Sequence, residues 1–298
     1  MKKYFILAAA ALTMAACSTD DNNNLATGDF SQAISFEAGM SSATRAASDI
    51  QGTAFLENEL VRIEATPSGS PSTTNSAIYK AGAPSGNVNA LTVNGGSSPL
   101  TWPASGTLAI KAFYPSTVTS STTSFSVEEN QTADANYRSS DLMYATPIAA
   151  QAKQSAAVGL TFNHALTKIV VNLTAGTGMS ASDIAGCAVT LSAKKTATIS
   201  NGVWSAATGD AATITMGTGS GVAAIIVPQS YAANANFITV TTAGSHSVTF
   251  KLAAEKTFTA GHVYTYNLTL GMASLTLQST TITNWTTETA IDGGTLTI

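Results

Sequence analysis

Charge is scarce in this 298-residue chain. Only 10% of its residues are charged and its net charge is −4, whereas roughly a quarter of an average globular chain is charged. No run of Lys and Arg is long enough to build a basic stripe, so nucleic acid is excluded as a partner. Cysteine occurs twice, at Cys17 and Cys187; with Cys17 lipidated only Cys187 would remain, so no internal disulfide is expected. Cys187, between Ala185-Gly186 and Ala188-Val189, reads as a buried small residue. The three histidines, His164, His246 and His262, share no metal-ligand spacing, so neither a metal nor a cofactor is expected. Gly217-Thr218-Gly219-Ser220-Gly221 lacks the Lys-Ser/Thr of a phosphate loop and precedes a strand pattern, so it reads as a hairpin connection. Glu128 and Glu129 are adjacent, and adjacent strand residues face opposite ways, which makes them a solvated strand end and not a catalytic pair. No nucleophile-elbow pattern occurs. The chain is not expected to be an enzyme.

What fills the gap is Thr, Ser, Ala and Gly, with 44% hydrophobic residues. Such a composition suits strands with hydroxyl-lined outer faces. Period-2 alternation recurs along the chain: Glu59–Glu64, Thr107–Tyr114, Leu142–Ala145, Val158–Phe162, Lys168–Leu173, Val189–Leu191, Val222–Val227, Phe237–Thr241, Val248–Leu252 and Val263–Leu270. Helical periodicity is nearly absent. Many short strands separated by Gly, Asn, Ser and Pro clusters indicate sandwiches or barrels. The stretch Pro147–Ala157 loses the strand pattern and reads as the boundary between two halves, 46–152 and 153–298, each near the common domain size.

Both ends carry separate signals. Lys2 and Lys3, the apolar Tyr4–Leu12 and the small Ala15-Ala16 have the anatomy of a secretory signal peptide over residues 1–16, too short to span a bilayer. Cys17 directly after it resembles a lipobox cysteine, with Met14 where Leu is usual. The polar run Ser18–Asn24 reads as a solvated tether, and its acidic Asp20-Asp21 resembles a surface-export tag. Residues 17–45 would then be a lipidated propeptide. Within it, Phe30, Gln32, Ile34, Phe36, Ala38 and Met40 form one face of an extended strand and Ser31, Ala33, Ser35, Glu37 and Gly39 the other. The apolar face, carried by Phe30, Ile34, Phe36 and Met40, suits a strand lying in an apolar groove. Beyond it, Ser41–Ser48 is small and polar, of the kind that proteases nick. Arg45 is the only basic residue between Lys3 and Arg62. A cut between Arg45 and Ala46 would leave the strand held by non-covalent contacts alone. Its loss would expose a sheet edge that another chain could fill, and head-to-tail filling makes a filament. An ordinary edge strand followed by an ordinary loop fits the same local residues.

The order of several motifs goes further. Cys17, the Phe36 strand, Ala43-Thr44-Arg45-Ala46, Ser140-Asp141-Leu142-Met143-Tyr144-Ala145, Leu160–Ile169, Ile225-Ile226-Val227-Pro228-Gln229, Phe258–Tyr266 and Ile282-Thr283-Asn284-Trp285 follow one another in a pattern that resembles the fimbrillins, which build type V pili in anaerobic Gram-negative bacteria. The resemblance covers nearly the whole chain. It implies an all-β chain of two transthyretin-like β-sandwich domains in tandem. It also implies a lipoprotein precursor at the outer membrane, cleavage at the position of Arg45, and a fimbrium assembled by strand exchange with other pilus subunits. The donor would be a C-terminal strand. Residues 274–298 are the candidate, with Leu275 and Leu277 in one phase, Ile282 in the other, and Leu296 and Ile298 alternating again; the phase change suggests a bulge or two strands. A second reading is a surface-anchored lipoprotein adhesin or tip subunit that binds a host receptor or glycan. Trp102, Trp204 and Trp285 would bear on it if they formed a surface cluster, although single Trp residues in β-sandwiches are mostly core or rim.

Overall fold

The computed structural model describes residues 32–41, 54–200, 203–272, 274–284 and 288–292. Among the described residues, twenty strands dominate. In chain order they are β1 (Phe36–Met40), β2 (Leu60–Pro67), β3 (Asn75–Ser85), β4 (Val88–Val93), β5 (Thr107–Tyr114), β6 (Ser124–Ser126), β7 (Met143–Ala145), β8 (Ile148–Ala152), β9 (Val158–His164) and β10 (Thr167–Ala175). There follow β11 (Ala188–Ser200), β12 (Val203–Thr218), β13 (Val222–Ile226), β14 (Ser230–Tyr231), β15 (Asn236–Thr241), β16 (Ser247–Lys251), β17 (Lys256–Thr257), β18 (His262–Gly271), β19 (Ser274–Asn284) and β20 (Glu288–Asp292). Two short helices, α1 (Asp134–Ser139) and α2 (Ala181–Ala185), interrupt them. The all-β expectation holds.

The first sheet does not have the form expected of it. Its order is β2-β3-β4-β1-β9-β7-β5-β8, and β2 also pairs with β5. Seven strands therefore close into a ring, with β8 attached outside it. A two-sheet sandwich was expected, but the direct β2–β5 ladder, six residue pairs from Arg62↔Phe113 to Pro67↔Leu108, joins the two edges that a sandwich would leave apart. Closure removes free sheet edges. Inside lies a core that includes Ile34, Phe36, Phe55, Val61, Ile63, Tyr79, Leu108, Ile110, Leu160 and Phe162.

The second core lies between two five-stranded sheets. One has the order β13-β10-β18-β19-β20; the other runs β12-β11-β15-β16, with β6 on β11. Alternation explains the packing: on β18, Tyr264, Tyr266, Leu268 and Leu270 are all buried while the residues between them are half-buried. Phe237 and Phe258 stack at 4.9 Å, and Tyr266 and Phe250 extend the aromatic layer. Burial pushes the Tyr266 hydroxyl well above its ordinary pKa, chiefly by desolvation.

The cores do not divide where composition placed the boundary at 152/153. Strand β9 lies beyond it, yet pairs with β1 and β7 in the ring, because Val158, Leu160 and Phe162 face the first core. The expected linker itself holds β8, paired with β5. In the opposite direction, residues of 115–142 leave the ring and enter the second core through Val118, Val127, Tyr137 and Leu142. Gln131, 3% exposed, fixes this excursion: its side-chain oxygen accepts from the Ile225 N–H and its amide nitrogen donates to the Ile225 carbonyl, both at 2.8 Å. The glycine-rich run 217–221 links β12 to β13 in the other sheet and so is no hairpin; Gly217, Gly219 and Gly221 all adopt positive φ there.

Candidate functional site

The residues Ile34-Ser35-Phe36-Glu37-Ala38-Gly39-Met40 place an apolar side chain at every second position. In the structure Ile34, Phe36, Ala38 and Met40 are all buried in the first core, and Glu37 is exposed. Strand β1 runs antiparallel to β4 (Phe36↔Leu91 to Gly39↔Val88) and parallel to β9 (Phe36↔Val158 to Met40↔Phe162). Among the described strands it is the only one that joins β4 to β9. Without it the ring would open along both of those edges.

The segment leading into β1 is fastened separately. The Ile34 N–H donates to the Leu100 carbonyl (2.8 Å), and the Trp102 N–H donates to the Gln32 carbonyl (2.9 Å). At the far end the Ser41 N–H donates to the Phe162 carbonyl (2.9 Å). Phe36 meets the Tyr79 ring edge-on, with centroids 5.2 Å apart. The Tyr79 hydroxyl accepts from the Leu100 N–H at 2.9 Å. Burial pushes that hydroxyl above its usual pKa, and the Leu100 bond offsets part of the rise. Tyr79 is thereby a fixed wall of the groove.

Burying Ile34, Phe36 and Met40 is worth about 1.5–3 kcal/mol each, or roughly 5–9 kcal/mol together. Total stabilities of domains run about 5–15 kcal/mol. The burial term of this one strand is therefore of the same order as the whole stability of the fold that holds it.

Two residues of this site escaped the sequence reading. Phe55, wholly buried, packs against Phe162 (5.0 Å) and Tyr114 (5.4 Å). Asn89, also wholly buried, lies on β4 directly opposite Ala38. Its side-chain oxygen accepts from the Phe55 N–H at 2.9 Å, and its amide nitrogen donates to the Phe55 carbonyl (2.9 Å) and the Gly82 carbonyl (2.8 Å). An Asn within an apolar alternation was the available signal.

Of the other expected site residues, Cys17, Phe30, Arg45, Ala46, Leu296 and Ile298 lie outside the described residues. The C-terminal candidates lie in β19, where Leu275 pairs with Leu270, Leu277 with Leu268 and Ile282 with Tyr264. The register slips between Asn267 and Leu268, so β19 carries a bulge at Gln278, between Leu277 and Ser279. That accounts for the phase change between Leu277 and Ile282. Both side chains pack against the second core but stay only half-buried. The groove and the tail are therefore in different sheets of this chain.

His164, at the end of β9, is buried with its Nδ1 within 3.0 Å of both Asp141 carboxylate oxygens. Among the described residues no group of three or more His, Cys, Asp or Glu is placed to hold a metal. Trp102 is buried in the first core, Trp204 packs against the second and Trp285 lies outside the described residues. The two described Trp residues thus form no shared surface.

The fimbrillin-like family profile matches residues 44–285, most of the chain. The chain belongs to the fimbrillin-like family. A curated relative, the "putative fimbrium subunit Fim1C" of Bacteroides uniformis, is 30% identical over 161 residues, which are 49% of this chain and 51% of the relative. The chain thus spans about half the length of that relative. Among solved structures, a "putative cell adhesion protein" from Bacteroides uniformis superposes with a TM-score of 0.67 at 21% identity, covering 85% of this chain and 98% of the other. One of the same description from Bacteroides ovatus superposes at 0.63 with 16% identity, over 87% and 99%. At these identities the two structures establish shared fold. The family and the curated relative are both described in fimbrial terms.

Proposed function

We propose that this fimbrillin-like chain is a structural subunit of a cell-surface fimbrium, made as a lipoprotein precursor anchored in the outer membrane through Cys17. Proteolysis between Arg45 and Ala46 would free β1. The emptied ring would then take a strand from residues 274–298 of another subunit, and repetition would build an adhesive fibre. On this reading the two cores are two domains in tandem. Their divide falls after His164, and the 115–142 excursion ties them together.

The observation that carries the reading is the position of β1. Among the described strands it alone joins β4 to β9, it and the residue leading into it bury Ile34, Phe36, Ala38 and Met40, and it precedes the one basic residue between Lys3 and Arg62. A strand whose burial is comparable to domain stability cannot simply be lost. The groove has to be refilled, and refilling by a neighbour's strand is β-augmentation. The half-burial of Leu277 and Ile282 favours donation, since little apolar contact is forfeited when the tail leaves its own sheet.

The test is the N-terminus of the mature protein, read by mass spectrometry on material sheared from cells, together with Arg45→Ala. Sheared protein should begin at Ala46, and Arg45→Ala should leave intact monomer on the surface without filaments. Filaments formed normally by that variant would refute cleavage-driven exchange. A mature chain that keeps residues 17–45 while binding a receptor or glycan would point instead to the anchored adhesin.

A further inference from the structure

The emptied groove would not accept every apolar strand. Its inward positions are filled by Ile34, Phe36, Ala38 and Met40: large, large, small, large. The small residue stands where the wall is least able to move. Ala38 and Asn89 are register partners, both with no exposed surface. The Asn89 amide is held by three hydrogen bonds, two to the Phe55 backbone and one to Gly82. Phe55 is in turn wedged against Phe162 and Tyr114. A longer side chain at position 38 would have to displace Asn89, break those bonds and leave buried polar groups unpaired, which is costly. On β9, position 38 faces Leu160, also buried.

We propose that Asn89, positioned by Phe55, makes the groove selective for a strand whose third inward residue is small, and that the stretch Leu275–Thr281 of a second copy meets this rule. The second half of the proposal rests on the strand-exchange reading above; the first does not. Read in the direction of β1, Leu275, Leu277, Ser279 and Thr281 fall at the spacing of Ile34, Phe36, Ala38 and Met40. Within 274–298 no other alternate set, read in that direction, has two large apolar residues followed by a small one. A strand in that direction keeps the antiparallel ladder to β4 and the parallel ladder to β9. Ser279 would then stand opposite Asn89. In its own sheet Ser279 accepts a hydrogen bond from the Asn267 side chain at 2.7 Å.

The test has two arms. In the full chain, Ala38→Leu is compared with Ala38→Ser, before and after nicking at Arg45. Overpacking at a rigid site should speed plug release by about tenfold or more for Leu and little for Ser. In an Asn89→Ala background most of that difference should vanish, since the two positions are coupled. Equal release by the Leu and Ser variants would overturn the selectivity. If Asn89→Ala does not fold, the second arm still decides. There, the nicked and plug-free chain is offered a peptide of residues 274–284, the same peptide with Ser279→Leu, and a peptide of residues 290–298. The first should restore the denaturation midpoint, and the Leu version should bind about tenfold more weakly or worse. Tighter binding by 290–298, whose Ile298, Leu296 and Gly294 follow the rule only in reverse, would overturn the assignment to Leu275–Thr281. If none binds while the first arm behaves as expected, selectivity for the plug stands and strand exchange through the tail falls.

Discussion

Phe36→Ala measures how much of the fold depends on β1. Phe36 is 2% exposed and contacts Tyr79 edge-on. Truncating a buried Phe costs about 3–5 kcal/mol, the lost transfer energy plus the cavity left behind. Against a total of about 5–15 kcal/mol, that is a large fraction of the stability. In the intact chain it should lower the urea midpoint with an unchanged slope. After nicking at Arg45 the released state is the same for both chains apart from a short peptide. The whole cost then appears in plug retention, which should weaken roughly a hundredfold to a few thousandfold at 1.4 kcal/mol per tenfold. The control is Glu37→Ala on the exposed face of the same strand, where about 0.5 kcal/mol or less is expected. Size-exclusion of nicked protein, with mass spectrometry of the peptide fraction, reads the release. Equal effects of the two substitutions would refute the placement of the strand in an apolar groove.

Two more outcomes follow from the second core. Burial, and secondarily the nearby Asp183 charge, push the Cys187 thiol above its usual pKa. Alkylation of Cys187 should therefore be negligible in the folded chain, and should appear along with the unfolding transition in urea; rapid labelling of native protein would contradict its burial. At α2, the Ser180 hydroxyl and then the Ser180 N–H hold the Asp183 carboxyl below the ordinary carboxylate range. A depressed carboxyl stabilises above its unfolded pKa and loses that contribution as pH falls through its folded value. Asp183→Asn should accordingly flatten the acid limb of a Tm-against-pH profile; an unchanged profile would mean the capping box contributes nothing.

Legibility from sequence followed the strength of alternation. Thr107–Tyr114 was read with the bounds of β5, and the burial of Ile34, Phe36 and Met40 followed from period 2 alone, because each large apolar residue is flanked by polar or small ones. Strand β3 was not read, since its inward residues beside Tyr79 are Ala77 and Ala81, too small to signal a face. Strand β4 was hidden because Asn89 occupies an inward position, where apolar residues mark a strand. Ring closure depends on β2 meeting β5 through partners 41 to 51 positions apart in the sequence, and alternation in either strand carries no information about that pairing. The clamp of Asn89 on Phe55 joins residues 34 apart in sequence through an amide acting as a substitute peptide group, which leaves no periodic trace. The phase change in the tail was visible because a bulge shifts alternation by one residue.

On the proposed strand-exchange reading, cleavage would act as a switch even though it breaks no contact of the groove. Residues 41–53 are the only chain between β1 and the rest of the fold. While they are intact, a strand that slips out is returned intramolecularly, at a higher effective concentration than a separate chain offers. A tail from another subunit must compete with that, and at ordinary protein concentrations it loses. Cutting at Arg45 would remove the tether and leave the hydrogen bonds of β1 in place. A freed plug that dissociates is diluted to the bulk, whereas subunits gathered at a growing fibre present their tails at high local concentration. Even with equal affinity for both strands, the groove would then change occupant. On that reading the precursor would be a stable monomer and the cut chain a polymerising one without any rearrangement of the core, provided the incoming strand satisfies the wall that Asn89 and Tyr79 hold fixed.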